Sequence, residues 1–135
     1  MSKANEIVNE MMGADAFSRW MGIEVVEVQP GYAFLRMEVR DEMVNGFGVA
    51  HGGIAFSLAD SALAFASNGH GRVAVALNDS ITFMRPVNPG DILTAKAEEL
   101  HRGGRTAHYQ VSIHNQDDER IAQFQGTVYI TSKEH

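Results

Sequence analysis

The segment Ile54-Ala-Phe-Ser-Leu-Ala-Asp-Ser-Ala-Leu-Ala-Phe-Ala66 decides the fold. It reads as a helix that is apolar around most of its circumference, and such a helix is buried in a core. Near its middle stands one carboxylate, Asp60, although aspartate is almost never fully buried without a partner. At helical pitch Gly53, Ser57, Asp60, Ser61 and Ala64 fall on one narrow stripe of small or polar residues. Ile54, Leu58, Ala62 and Phe65 form the neighbouring apolar face. The stripe must face something other than bulky core, either a ligand or a second helix at close approach. A purely structural role stays open, with Asp60 capping a hydrogen-bond network that includes the two serines.

Just upstream lies Asn45-Gly-Phe-Gly-Val-Ala-His51-Gly52-Gly53. The first N–H groups of a helix have no internal partner and carry partial positive charge, and glycines let a ligand approach the backbone closely. Such a terminus can hold a carbonyl oxygen that becomes an oxyanion during acyl transfer. In that arrangement His51 braces the loop and Asn45 holds a carbonyl or a water. The competing interpretation is a tight turn and nothing more. The spacing is neither G-x-G-x-x-G nor a Walker motif, so no nucleotide-cofactor fingerprint is met.

Outward from the helix, residues 4–20 suit an amphipathic helix that Gly13 divides in two, the second piece carrying Phe17, Trp20 and Met21. Gln29-Pro30-Gly31 signals a turn, and Leu35, Met37 and Val39 then alternate with charged residues as in a half-buried strand. The central helix is expected from about His51 to Asn68. Beyond it residues 72–85 are β-rich, and turns follow at Asn88-Pro89-Gly90-Asp91 and Gly103-Gly104. Ala107, Tyr109, Val111 and Ile113 define one strand face, and Ala122, Phe124, Val128 and Ile130 another. Four strands with short connections favour antiparallel pairing. The expectation is an α+β protein: a hotdog fold, in which an antiparallel β-sheet wraps around one long central helix, forming a single domain over residues 1–135 with a helical segment at 1–21.

Composition narrows the function. The chain has 135 residues, no cysteine and a net charge of -6, which removes thiol nucleophiles and argues against non-specific nucleic-acid binding. No signal-peptide pattern or membrane-spanning run is visible, and a cytoplasmic location with no membrane partner is expected. The six histidines show no metal spacing on a helix face, so neither metal nor cofactor is expected. No G-x-S-x-G elbow supports a serine hydrolase. Arg85, Arg102 and Arg105, with Thr106 and the hairpin glycines, are candidate contacts for ligand phosphates.

Gly52 and Asp60 are eight residues apart, about 12 Å along one helix. Oxyanion donor and attacking group must both lie about 3 Å from the reacting centre. An acyl-transfer site built from these two groups therefore needs two antiparallel copies of the helix, which means a homodimer with two shared sites. Either attack by Asp60 or base catalysis by it requires the ionised carboxylate. Desolvation opposes ionisation, and donors such as the Ser57 and Ser61 hydroxyls would favour it.

At Asn45…His51-Gly-Gly…Ser57-Leu-Ala-Asp60, and on through Asn68, Ile81-Thr-Phe-Met-Arg85-Pro86, Gly90-Asp91 and Gly103-Gly104, the chain resembles the hotdog-fold acyl-CoA thioesterases of the phenylacetate-degradation (PaaI) type. The resemblance implies hydrolysis of an acyl-CoA thioester, with phenylacetyl-CoA or its hydroxylated form the leading substrate class. It implies Asp60 as nucleophile or general base, a polarising Gly52 amide, His51 supporting the loop and Asn45 positioning water or carbonyl. Gly53, Ser57 and Ser61 fall to the substrate. Arg85, Gly103, Arg105 and Thr106 fall toward the CoA nucleotide, and the assembly implied is a homotetramer of two dimers. Some relatives hold the water with a serine from the strand after the helix, whereas Val75-Ala-Leu-Asn78-Asp-Ser80 stands here and no residue takes that role by position. Two other functions share the fold: an acyl-thioester hydratase or dehydratase, and a non-catalytic acyl-CoA-binding module.

Overall fold

A computed structural model describes residues 2–135. The elements run α1 (Lys3–Ala14), α2 (Ala16–Trp20), β1 (Glu24–Gln29), β2 (Tyr32–Glu38), a 3-10 turn (Asp41–Met43), α3 (Gly52–Asn68), β3 (Arg72–Phe83), β4 (Ile92–Arg102), β5 (Thr106–His114) and β6 (Arg120–Glu134). The six strands form one sheet in the order β1-β2-β4-β5-β6-β3, and every neighbouring pair is antiparallel. α3 packs against all six strands. The fold is therefore the α+β hotdog arrangement, with a long helix held inside a six-stranded antiparallel sheet.

Alternation explains the strands on either side of the helix. Leu35, Met37, Leu93, Ala95, Tyr109, Val111, Phe124 and Val128 are all buried and meet α3 residues Leu58, Leu63 and Phe65. Burying a side chain of that size contributes about 1.5–3 kcal/mol, so these three residues anchor the helix in the sheet. β1 breaks the pattern. Val28 is buried, but Val26 is 50 % exposed, because the β1–β2 register slips between Val25 and Glu27. A bulge of this kind removes the period-2 signal that sequence reading needs.

The N-terminal helix divides at Asp15 rather than at Gly13. Gly13 lies inside α1, where glycine costs helix stability without stopping the helix. Asp15 leaves the helical conformation, and its carboxylate caps α2 by accepting the Ser18 N–H at 2.9 Å. Among the described residues no helix is long and apolar enough to cross a membrane.

Two contacts fix α3 against β3. Asn68, 2 % exposed, donates from Nδ2 to the carbonyls of Ala64 (2.8 Å) and Ala74 (3.0 Å), and its Oδ1 accepts the Ala74 N–H at 3.0 Å. One side chain thus satisfies backbone groups on both elements. At the other contact β6 carries Gly126 in its inward row. A Cβ there would stand 2.7 Å from Leu63 Cδ2 and 2.9 Å from Asp79 Oδ1, so the glycine leaves room for two side chains to close over it. Replacing Asn68 by Ala strands buried groups of the Ala74 peptide, and the expected loss is about 2–3 kcal/mol. Urea unfolding at fixed protein concentration measures it; a loss below about 0.5 kcal/mol, the ordinary effect of a surface change, would refute the role.

Candidate active site

The stripe read from the sequence is the less covered face of α3. Gly53, Ser57, Asp60, Ser61 and Ala64 are half-buried, while Ile54, Leu58, Ala62 and Phe65 are buried. The chain's own sheet covers the greasy side and leaves the polar stripe accessible.

At the start of α3 the loop is tied by its own polar groups. Val44 and Ala50 form an isolated bridge, and between them Asn45 Oδ1 accepts the Phe47 N–H at 2.8 Å. Gly48 adopts φ +81° to close the turn, a conformation that glycine reaches without strain. His51 is the N-cap of α3: its Nδ1 accepts the Gly53 N–H at 2.8 Å, and its own N–H goes to the Met43 carbonyl at 2.8 Å. The His51 carbonyl receives the Ile54 N–H at 2.9 Å. Among the described residues the neighbouring Gly52 N–H finds no hydrogen-bond partner. A free N–H at a helix start, flanked by two that are taken, is a single aimed donor.

Gly52 and Asp60 open onto different spaces. Gly52 lines an apolar cleft of about 300 Å³ with Ile54, Phe83, Met84 and Arg85. His51, Gly53 and Ser57 line a second groove of about 360 Å³ with Phe17 and Trp20. Asp60 lines a third of about 220 Å³, between α3 and the start of β3. Within one chain the donor and the acid are not brought together. Met84 lines the first cleft, whereas Phe65 is fully buried, Phe56 packs edge-on against Phe124, and Phe47 is 92 % exposed at the loop tip.

The serines divide. Ser18 donates to Asp15 Oδ2 at 2.7 Å and lies 2.8 Å from Ser61 Oγ. With the Ser18 proton committed to a carboxylate, Ser61 is the donor in the second bond. Its hydroxyl is thus turned to α2 rather than to Asp60. Arg85 pairs with Glu119 at 3.1 Å with both side chains exposed, an arrangement worth little in stability. Gly103 donates its N–H to the Thr106 carbonyl at 2.8 Å and closes the β4–β5 hairpin, where the Arg105 carbonyl accepts from Ile130 N–H at 2.7 Å. Arg105 lines a separate space of about 440 Å³ with Arg72, apart from Arg85. Among the described residues no group of three His, Cys, Asp or Glu side chains is placed to hold a metal ion.

The residue that sequence reading missed is Asp79. Its side chain reaches the Asp60 carboxyl, and burial first, then a hydrogen bond with Asp60 and that group's charge, push the Asp79 carboxyl up to about 7. Strict alternation from Ala74 and Ala76 would turn Asp79 outward. The β3–β6 register slips between Ala76 and Asn78, which absorbs Leu77 as an extra residue and flips the phase. The one available signal was Gly126, a gap in the inward row of β6 directly opposite Asp79.

Comparison with known proteins decides the chemistry. The thioesterase superfamily model matches residues 47–122. The chain belongs to the thioesterase superfamily. It is 40 % identical over 124 residues to the acyl-coenzyme A thioesterase PaaI of Escherichia coli, covering 92 % of this chain and 89 % of that one. The structure of the E. coli PaaI protein from the phenylacetic acid degradation operon superposes with a TM-score of 0.95 at 38 % identity, over 98 % of this chain and 96 % of that one. A Streptococcus mutans structure bound to acetyl CoA gives a TM-score of 0.81 at 30 % identity, over 84 % and 91 % of the two chains. This superfamily thioesterase is a thioester hydrolase with the PaaI-type fold.

Two adjacent carboxyls give this thioesterase a pH signature. Asp79 binds its proton more tightly folded than unfolded, so its contribution to stability is full below its ordinary value of 3.8 and is lost as pH rises through about 7. Asp79→Asn removes the titration. Its gain in Tm over wild type is expected to be small at pH 4, to grow toward pH 7 and to level off above. Calorimetry across that range checks it, and a gain independent of pH would contradict it.

Proposed function

We propose that the protein hydrolyses acyl-CoA thioesters, with aryl substrates such as phenylacetyl-CoA or hydroxyphenylacetyl-CoA the preferred class, at sites shared between two antiparallel copies of α3. The observation that carries the shared site is the separation of the Gly52 N–H from Asp60 on one rigid helix, about 12 Å along the axis, with each group opening onto its own cavity. β3 supports the pairing. It is an edge strand, and it exposes Val75 (51 %), Leu77 (60 %) and Phe83 (52 %). A long apolar edge strand is a template for another chain, and a second copy closes it by symmetry. Two such dimers would make the tetramer that the PaaI resemblance implies.

In this reading the thioester carbonyl oxygen accepts the Gly52 N–H of one copy, and the Asp60 carboxylate of the other drives attack on the carbonyl carbon. Asp60 acts either by bonding to that carbon or by taking a proton from water that does so. The oxyanion formed is held by Gly52 and the positive end of the helix. Collapse breaks the C–S bond and releases CoA as its thiolate, leaving the free acid or, after direct attack, an anhydride at Asp60 that water then hydrolyses. His51 and Asn45 keep the donor loop rigid through the bonds already described. The preference for an aryl group rests on the apolar cleft beside Gly52, whose walls include Ile54, Phe83 and Met84. Arg85 stands at that cleft's edge, and Arg105 with the Gly103–Thr106 hairpin adds positive charge for the CoA phosphates.

Thiol release from phenylacetyl-CoA is the test. Asp60→Asn and Asp60→Ala should each lower kcat by at least about 100-fold, the ordinary contribution of a general base or nucleophile, with folding intact by circular dichroism. Wild-type turnover in both would remove Asp60 from the mechanism.

A further inference from the structure

The reading of Asp60 as the attacking group leaves a question of how a carboxylate beside apolar walls is aimed and kept charged. Asp79 sits where that control is exerted. Glu99, Tyr109, Gly126 and Asp79 form one row across β4, β5, β6 and β3. Because residue 126 has no side chain, Asp79 leans over it toward α3. Its Oδ1 and Leu63 Cδ2 both fall within 3 Å of where a Cβ of residue 126 would stand, at 2.9 and 2.7 Å. Leu63 lies three residues from Asp60, on the same side of the helix.

Asp79 Oδ1 is buried and, among the described residues, receives no N–H or O–H. The neighbouring group that acts on the Asp79 side chain is a second carboxyl, that of Asp60. Two carboxyls in contact attract only when one of them carries a proton; ionised together they repel. We propose that Asp79 is a positioning residue that holds a proton and donates it in a hydrogen bond to the Asp60 carboxylate, so that Asp60 stays ionised and pointed into its cavity. The proposal rests on the catalytic reading of Asp60 for its effect on turnover, but not for the proton itself.

The roles follow from position. Asp60 lines the open cavity and Asp79 does not, so the inner group holds the proton and the outer one keeps the charge. Burial and the adjacent charge place the Asp79 transition near neutrality. Among the described residues no charged group other than Asp60 acts on Asp79. From α3 the ionisable residue facing Asp79 is Asp60; from β6 the inward neighbours are Gly126, Phe124 and Val128, all uncharged. From β5 the row supplies Tyr109, whose hydroxyl is given to Glu99 Oε1 at 2.8 Å. As pH rises through the Asp79 transition the hydrogen bond is lost and repulsion between two anions swings Asp60 away from its aim. Activity is then expected to fall on the alkaline side near pH 7 for a reason distinct from the chemistry of hydroxide.

Two readouts test this in the full-length protein. Infrared or carbon-13 NMR titration of aspartate carboxyls should find one acid that stays protonated to near neutral pH; that signal should disappear in Asp79→Asn and move to lower pH in Asp60→Asn. Thioester hydrolysis against pH should show an alkaline decline in wild type that Asp79→Asn lacks, since its amide donates but does not titrate. Asp79→Ala, with no donor, should lower kcat about tenfold across the range, the scale seen when a hydrogen-bond partner that orients a metal ligand is removed, with KM changed less than kcat. An ordinary aspartate titration for both carboxyls, or an Asp79→Asn protein that keeps the wild-type decline, would overturn the proposal. If instead Asp60→Asn keeps wild-type turnover, the catalytic reading of Asp60 fails. The titration then still decides whether Asp79 holds the shared proton.

Discussion

A helix holds its residues at a fixed rise, and α3 holds the Gly52 N–H and the Asp60 carboxyl about 12 Å apart along its axis. Neither end can yield. Leu58, Leu63 and Phe65 are buried against the sheet, and Asn68 ties the C-terminal turn to β3 through two hydrogen bonds to Ala74, with a third to Ala64 of the helix itself. The His51 side chain and carbonyl take the N–H groups of Gly53 and Ile54 and square off the other end. A donor and an acid fixed on one rod serve one carbonyl only if a second rod runs the opposite way beside it. That constraint links the apolar edge of β3, the half-covered stripe on α3 and the proposed chemistry.

The helix and the strand faces were legible because their signals are periodic. The apolar span ending at Asn68 and the alternation in β4, β5 and β6 each repeat often enough to survive one irregular residue. The division of labour around α3 was also readable, since small and polar residues recur at helical spacing. What failed had local causes. Gly13 looked like the break in the N-terminal helix, but a capping carboxylate two residues on sets the boundary. In β1 the bulge between Val25 and Glu27 breaks the period. Asp79 was hidden by a bulge, since one extra residue reverses which side of the strand each later side chain occupies. The Ser61 hydroxyl could not be placed either: its partner, Ser18, is 43 positions away, and no local pattern reports such a contact.

Asp60 and Asp79 also show how a polar site persists in a greasy interior. A lone ionised carboxylate there would be costly. Pairing it with a protonated neighbour supplies a hydrogen bond without adding charge, and a cationic partner is not needed. The space for that neighbour comes from the missing side chain of Gly126. Sheet register, a glycine and an acid are thus parts of one device, and each makes sense only with the other two.

Subunit complementation tests the central claim most directly. Asp60→Ala removes the acid. Gly52→Pro removes the N–H while keeping the helix start, because residue 52 is the first helical position, where proline is tolerated, and His51 already has the extended conformation that a following proline requires. The new Cβ asks for a small shift of the Phe83 ring, 3.0 Å away. Each variant alone is expected to be nearly inactive in thioester hydrolysis. Unfolded together and reassembled in equal amounts, they should recover about a quarter of wild-type activity, since random pairing puts one intact site in each mixed dimer. Recovery of none, from a mixture shown to contain mixed dimers, would contradict a site shared between copies.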